Sequence, residues 1–182
     1  MTTLSRETSA EEAERRKQTF QVELFKSKQW EELKDQIMEI ERSAFGDKAE
    51  MEEELGSEFE NPENVGLLLR EGKDNSVVGY CLGVPNKDDQ TGKTLHISST
   101  ALLSKYHGRG LVVKLLQAMD VQARQRGFEF YTRFTRADNN YAGNLQKAYK
   151  DFILEVGEPQ TTEYGTQVRI RMRIPPEDFY NK

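Results

Sequence analysis

SKYHGRGLVVKLL, residues 104–116, is the stretch on which the reading of this chain turns. It follows TLHISSTALL (94–103), which reads as a long strand. It opens a run in which Leu111, Leu115, Leu116, Met119 and Ala123 share one helical face, over about Arg109 to Arg126. Between strand and helix there is room only for a tight turn, with Gly108 and Gly110 on either side of Arg109. Glycine tolerates the dihedrals of such a turn and lets another group approach the backbone closely. The first amides of a helix have no partner within it and sit at the positive end of its dipole. The unit therefore suits a phosphate. The alternative is that the glycines only let helix and strand pack closely.

Two nucleotide motifs are excluded. TGKT (91–94) lacks the upstream glycine of a P-loop, Lys87 standing in that place, and it precedes a strand rather than a helix. HGRGLV does not supply the G-x-G-x-x-G of a dinucleotide fingerprint.

Outward from the turn, the pattern predicts an α/β domain. Phe20, Val22 and Leu24 alternate as a strand. Trp30, Leu33, Ile37 and Ile40 mark an amphipathic helix, and Met51, Leu55 and Phe59 a short acidic second helix ended by NPEN (61–64). VGLLLR (65–70) and SVVGYCLGV (76–84) form a hairpin. After the central helix, which Gly127 ends, come a strand at 128–134, a helix from about 138 to 152, a short strand at 153–156 and VRIRMRI (168–174). The strands on either side of the central helix form a βαβ unit and should lie parallel. The expected architecture is one mixed, mostly antiparallel sheet of six or seven strands with helices on both faces. It spans residues 19–182, behind a flexible or helical extension at 1–18.

Composition narrows the setting. A single cysteine, Cys81, lies in an apolar run and cannot form an internal disulfide, which predicts a buried hydrophobe in a reducing compartment, the cytoplasm. No apolar run approaches the roughly 20 residues that cross a bilayer. Residues 1–90 hold 12 Lys and Arg against 22 Asp and Glu, while residues 91–182 hold 14 against 9. This asymmetry suggests two ligand faces of opposite sign, or simply an unevenly charged surface. An acidic chain without an aromatic–basic patch is a poor nucleic-acid binder.

The chain resembles the GCN5-related N-acetyltransferases, the GNAT superfamily. Its signature turn is Q/R-x-x-G-x-G/A. Aligned on YHGRGL, His107 stands where Gln or Arg is usual, Gly110 matches, and Val112 stands where Gly or Ala is usual. A second offset begins at Lys105 and matches both glycines, but places the helix start too late. IERSAFGDKAEMEEEL (40–55) is similar to the acceptor-side helices of the family, and DNNYAGNLQKAYKDF (138–152) to the Asn-led helix beside the thioester. The strands 65–84 and QVRIRMRI (167–174) complete the order, so that the resemblance covers about residues 20–175.

The resemblance implies transfer of an acetyl or other acyl group from acetyl-coenzyme A to a primary amine, with the central strands splayed around pantetheine. It implies coenzyme contacts at Leu102 and Leu103, at His107, Gly108, Arg109, Gly110, Leu111, Val112 and Val113, and at Asn144. Tyr149 is the candidate general acid, although the NxxA spacing from Asn139 points to Gln146 instead. The glutamate that many members carry on the central strand is absent. His96 is the titratable candidate for the base, with Ser98 or Ser99 holding a relay water as the alternative. The acidic segment bearing Glu50, Glu52, Glu53, Glu54 and Glu58 would attract a cationic amine, and Arg169, Arg171 and Arg173 would guard an edge strand. The expected partners are coenzyme A and an amine acceptor, with no metal, no nucleic acid and no membrane, and a monomeric or homodimeric protein. The runner-up is a coenzyme-binding or regulatory module of the same fold that transfers nothing.

Overall fold

VGLLLR and SVVGYCLGV are apolar on both faces, which suits strands covered from both sides. A computed structural model describes residues 18–72, 74–136, 140–162 and 165–181, and shows that cover. The expected extension at 1–18 lies almost wholly outside the described residues. In chain order the structure runs β1 (Phe20–Leu24), α1 (Trp30–Phe45), α2 (Glu52–Glu60), β2 (Val65–Glu71), β3 (Ser76–Pro85), β4 (Thr94–Leu102), α3 (Leu111–Gln125), β5 (Phe130–Arg136), α4 (Asn140–Ala148), β6 (Ile153–Val156), β7 (Gln160–Thr162) and β8 (Gly165–Arg173). The sheet order is β1-β2-β3-β4-β5-β8-β6, with β7 also pairing with β8. β4 and β5 run parallel, as the βαβ rule requires, and the other paired strands are antiparallel. The eight strands exceed the expected six or seven because the chain adds Gln160–Thr162, three polar residues with no alternation to announce them.

Two cores sandwich the sheet. On one side α3 lays Leu111, Leu115, Leu116 and Met119 against Leu67, Leu69, Leu95 and Ile97. On the other, α1 and α2 bring Leu33, Ile37, Ile40 and Leu55 onto Leu68, Tyr80 and Leu82. This second core is pinned by aromatics: Phe59 lies 4.8 Å from Phe25 and 5.4 Å from Tyr80, ring centre to ring centre, and stacks on Trp30 at 5.8 Å. Phe59 thereby fixes where α2 sits, and with it the neighbouring side chain of Glu58.

β4 carries one residue more than β3 can pair. Leu82 faces Ser99 and Gly83 faces Ile97, so Ser98 is the extra residue of a β-bulge. Leu95 and Ile97 join the α3-side core before it, and Leu102 joins the same core after it, while Ala101 belongs to the other. The bulge thus changes which alternate positions face which helix layer.

Trp30 and α2 are in such close contact that a Cβ on Gly56 would lie 2.7–2.9 Å from three atoms of the indole. Gly56→Ala gains up to about 1 kcal/mol of helix propensity. Overpacking against a ring already held by Phe59 costs about 1–3 kcal/mol. The crowding wins, and a urea melt should show a net destabilisation of about 1 kcal/mol; a stabilised variant would show that α2 slides freely on Trp30.

Candidate active site

The parallel ladder between β4 and β5 is short. Thr94, Leu95, His96 and Ile97 pair with Phe130, Tyr131, Thr132 and Arg133, and no pairing follows among the described residues. The strands part where the Ser98 bulge bends β4. The remainder, through Leu102, stays paired to β3 alone. This fork exposes the β5-facing edge of β4, an edge to which an extended ligand can add.

Beyond the fork the chain makes a short 3-10 turn at Ser104–Tyr106 and enters α3 through two glycines in left-handed conformation, Gly108 (φ 72°) and Gly110 (φ 71°). Gly110 is the N-cap, and no side chain caps the helix. The helix start at Leu111 agrees with the offset that reads His107 as the first motif position. Val113 N–H bonds to Gly110 O at 3.1 Å, but among the described residues the N–H groups of Gly108, Gly110, Leu111 and Val112 meet no protein acceptor. A Cβ on either glycine would find nothing within 4 Å, so another group can approach the turn backbone closely. Tyr106 braces the turn. It is buried, and its hydroxyl donates to Glu71 Oε2 at 2.5 Å. The Arg109 guanidinium lies over the rings of Phe20 (5.0 Å) and Tyr106 (5.5 Å). His107 turns back, its Nε2 3.1 Å from Leu102 O. Leu103 N–H bonds to Val78 O, so by strand alternation the Leu102 peptide groups face the fork, and His107 already engages one of them.

The opposite face of the fork is acidic. Glu58 reaches from α2 to the bulge, where the Ser98 hydroxyl lies 3.3 Å from its Oε2 and 3.4 Å from Leu82 O, sharing its one proton between them. Tyr80 donates a short hydrogen bond to Glu41 Oε2 and lies 3.0 Å from Ser99 Oγ. Glu50 N–H bonds to Glu41 Oε1 at 3.0 Å. Among the described residues none of Glu41, Glu50 and Glu58 has a Lys or Arg partner. Burial raises the pKa of all three. For Glu50 the shift is large, up to about 7, through burial first and then the charges of Glu58, Glu41 and Glu54. His96 sits beside this cluster on β4 with Nδ1 3.1 Å from Thr132 Oγ1, its pKa lowered by burial and by Arg133 and Arg169.

The fork thus brings together Leu102, Leu103 and the 107–113 turn on one side, and His96, Ser98 and Ser99 on the other. Tyr149 lies apart from the acidic face. It is buried on the α3 side, its hydroxyl 2.8 Å from that of Tyr180, which donates to Asp120 Oδ2 at 2.7 Å. With the Tyr180 proton directed to Asp120, Tyr149 is the donor in their shared bond. Burial raises the Asp120 pKa to about 6. The side chain of Asn144 lies outside the described residues. Glu41 and Asp120 were not singled out from the sequence, yet each carried a signal: a carboxylate placed four residues after a core residue, Ile37 or Leu116, on the buried stripe of its helix.

No curated protein matches the chain in sequence. Solved structures resemble it in fold. The ribosomal-protein-S18-alanine N-acetyltransferase of Escherichia coli superposes with a TM-score of 0.65 at 15% identity, covering 87% of this chain and 96% of its own. The Salmonella typhimurium protein yncA, solved with its cofactor acetyl-CoA, gives 0.65 at 15%, covering 86% and 94%. An aminoglycoside 6'-acetyltransferase type Ii gives 0.67 at 15%, covering 86% and 98%. The model of the acetyltransferase (GNAT) family matches residues 30–150, more than half of the chain. With that match, the forked parallel pair and the uncapped glycine turn, this protein belongs to the acetyltransferase (GNAT) family.

Proposed function

We propose that the protein transfers an acetyl group from acetyl-coenzyme A to a primary amine. The observation that carries this reading is the fork, with unpaired turn amides at one mouth and the Glu58–Ser98 contact on its opposite face. The turn fits the coenzyme: four amides without acceptors and two glycines open to approach suit a diphosphate. Leu102, Leu103, His107, Gly108, Arg109, Gly110, Leu111, Val112 and Val113 would form its seat, with Asn144 a further contact. When bound, acetyl-coenzyme A supplies an acyl carbon on which the amine replaces the thiol.

The residues of the chain do the rest. The carboxylates of Glu41, Glu50 and Glu58, which have no Lys or Arg partner among the described residues, draw the acceptor's ammonium to the fork. Glu58, with Glu50 beside it, takes a proton from the amine nitrogen. His96, with its lowered pKa, stays neutral at pH 7 and serves better as a hydrogen-bonding neighbour than as a second cation. The thiol needs little acid help, since an ordinary thiol has a pKa near 8.5. Tyr149 then acts mainly through the Tyr180–Asp120 chain.

Three outcomes test this. Gly110→Glu places a carboxylate against the amide strip and should weaken acetyl-coenzyme A binding more than tenfold by calorimetry. Gly110→Ala suffers the same positive-φ strain, about 1–2 kcal/mol, without the charge, and should bind better than the Glu variant. Equal affinities of the Glu variant and the parent would remove the seat.

The base must be ionised, so kcat/KM should rise with pH through a midpoint above the ordinary carboxylate range, because burial raises Glu58 and the buried Glu50 lies beside it. Glu58→Gln should abolish that limb together with most of the activity. Stability has the opposite sign. The folded Glu50 holds its proton above the ordinary 4.5, so its contribution favours folding below 4.5 and is lost as pH rises through about 7. Glu50→Gln should therefore raise Tm at pH 8 and leave it nearly unchanged at pH 4.5. A flat pH–rate profile from 5.5 to 8.5 would exclude these carboxylates as the base.

Tyr149→Phe removes a buried hydrogen bond and should cost about 1 kcal/mol of stability. Turnover should stay within about threefold of the parent, because the thiol is a competent leaving group near its own pKa. A hundredfold fall in kcat with normal coenzyme affinity would instead establish Tyr149 as the acid.

A further inference from the structure

The half of the sheet made by β5, β8 and β6 carries α4 and part of α3 on one face. On its other face, the side of the acidic cluster, side chains stand open. The β8 positions Val168, Ile170 and Met172 are buried in the α3-side core, so Arg169 and Arg171 project to the open face. There Arg169 lies directly across from Phe134 and Arg171 across from Thr132. Phe134 is 46% exposed, and its ring meets that of His96 at 5.8 Å. Arg171 is occupied, its guanidinium 5.0 Å from the Phe130 ring centre and Glu155 opposite it in register. Arg169 differs: among the described residues no carboxylate pairs with it, and it is close enough to depress the His96 pKa.

One surface therefore holds unpaired charges of both signs. Glu58 hangs over Ser98 on β4, and Arg169 stands on β8, with β5 between the two strands. His96 and Phe134 form the floor between them. A purely cationic acceptor would satisfy the carboxylates and be repelled by Arg169. An amine that also bears an anion a few bonds away satisfies both walls.

Resting on the acyl-transfer reading above, we propose that the acceptor is a small amine carrying its own carboxylate, an amino acid or short peptide. Its ammonium lies at Glu58 and its carboxylate at Arg169. The expected cationic acceptor is thereby narrowed to a zwitterionic one. Arg169 is a specificity residue: it reads the carboxylate with the paired hydrogen bonds that a guanidinium offers, and it takes no part in the chemical step.

The test sets L-amino acids beside their carboxamides as acceptors, with thiol release from acetyl-coenzyme A as the readout. At least one free acid should exceed its carboxamide about tenfold in kcat/KM, mainly through KM. In Arg169→Gln that ratio should collapse toward one, and Arg169→Lys should keep part of it. Carboxamides used as well as the acids, or a ratio that survives Arg169→Gln, overturns the proposal. The NMR signals of the His96 imidazole in coenzyme-loaded protein give a readout that needs no turnover. A carboxylate seated at Arg169 offsets its charge and should raise the His96 pKa, whereas the carboxamide should not. An imidazole unmoved by every free acid at millimolar concentration also overturns the proposal. Absence of any heat on mixing protein with acetyl-coenzyme A would mark the failure of the parent reading, and this one would fall with it.

Discussion

Ser98 is skipped by the β3 ladder, and the site is built around that surplus residue. A parallel pair of strands is held by evenly spaced, slanted bonds that are slightly less stable per residue than antiparallel ones. The bulge kinks β4 immediately after the four paired residues Thr94–Ile97, and β5 does not follow it. The edge of β4 beyond this point is left without a β5 partner, and the glycine turn that follows the strand carries amides that meet no acceptor among the described residues. The bulge also sets Ser98 and Ser99 toward α2. A single irregularity in one strand thus creates the slot and furnishes its acidic face.

The acidic face depends on packing some distance away. Glu58 reaches Ser98 because Phe59 is wedged among Phe25, Trp30 and Tyr80, which fixes the height and rotation of α2. Glu41 is held within the same aromatic layer by the Tyr80 hydroxyl. Three carboxylates gathered without a cation among the described residues oppose folding at neutral pH, and the raised pKa values express that cost. Such strain commonly marks functional sites, where an incoming ligand relieves it.

What the sequence disclosed was local. HGRGLV could be read because a strand, two glycines and a helix within a few residues leave room only for a tight turn, though two offsets of the motif fitted it. The amphipathic stripe from Leu111 to Ala123 and the two-sided apolar runs of β2 and β3 were legible for the same reason. The bulge was not legible, because Ser98 is chemically unremarkable and the surplus exists only relative to β3. Nor was the contact of Glu58 with Ser98, 40 residues apart, or the turning of His107 onto Leu102 O. Tyr149 shows the limit well. The resemblance set it on the helix beside the thioester, but that helix ends at Ala148, and its hydroxyl partner comes from the C-terminal turn at Tyr180, which no period in the sequence links to it.

The charge asymmetry between the two halves of the chain acquires a structural meaning from the topology. The acidic half supplies α1 and α2, which cover only the β1–β4 side of one face. The basic half supplies β5 and β8, whose open face adjoins theirs. Because β4 lies at the seam, opposite charges meet across the fork without neutralising one another. Glu58 is held by Ser98, Arg171 by Phe130, and neither reaches the other. A salt bridge closing that gap would stabilise the empty protein and obstruct an acceptor. Keeping the two walls apart preserves a field that runs from Arg169 toward Glu58, which would orient the dipolar acceptor proposed above with its amine at the fork.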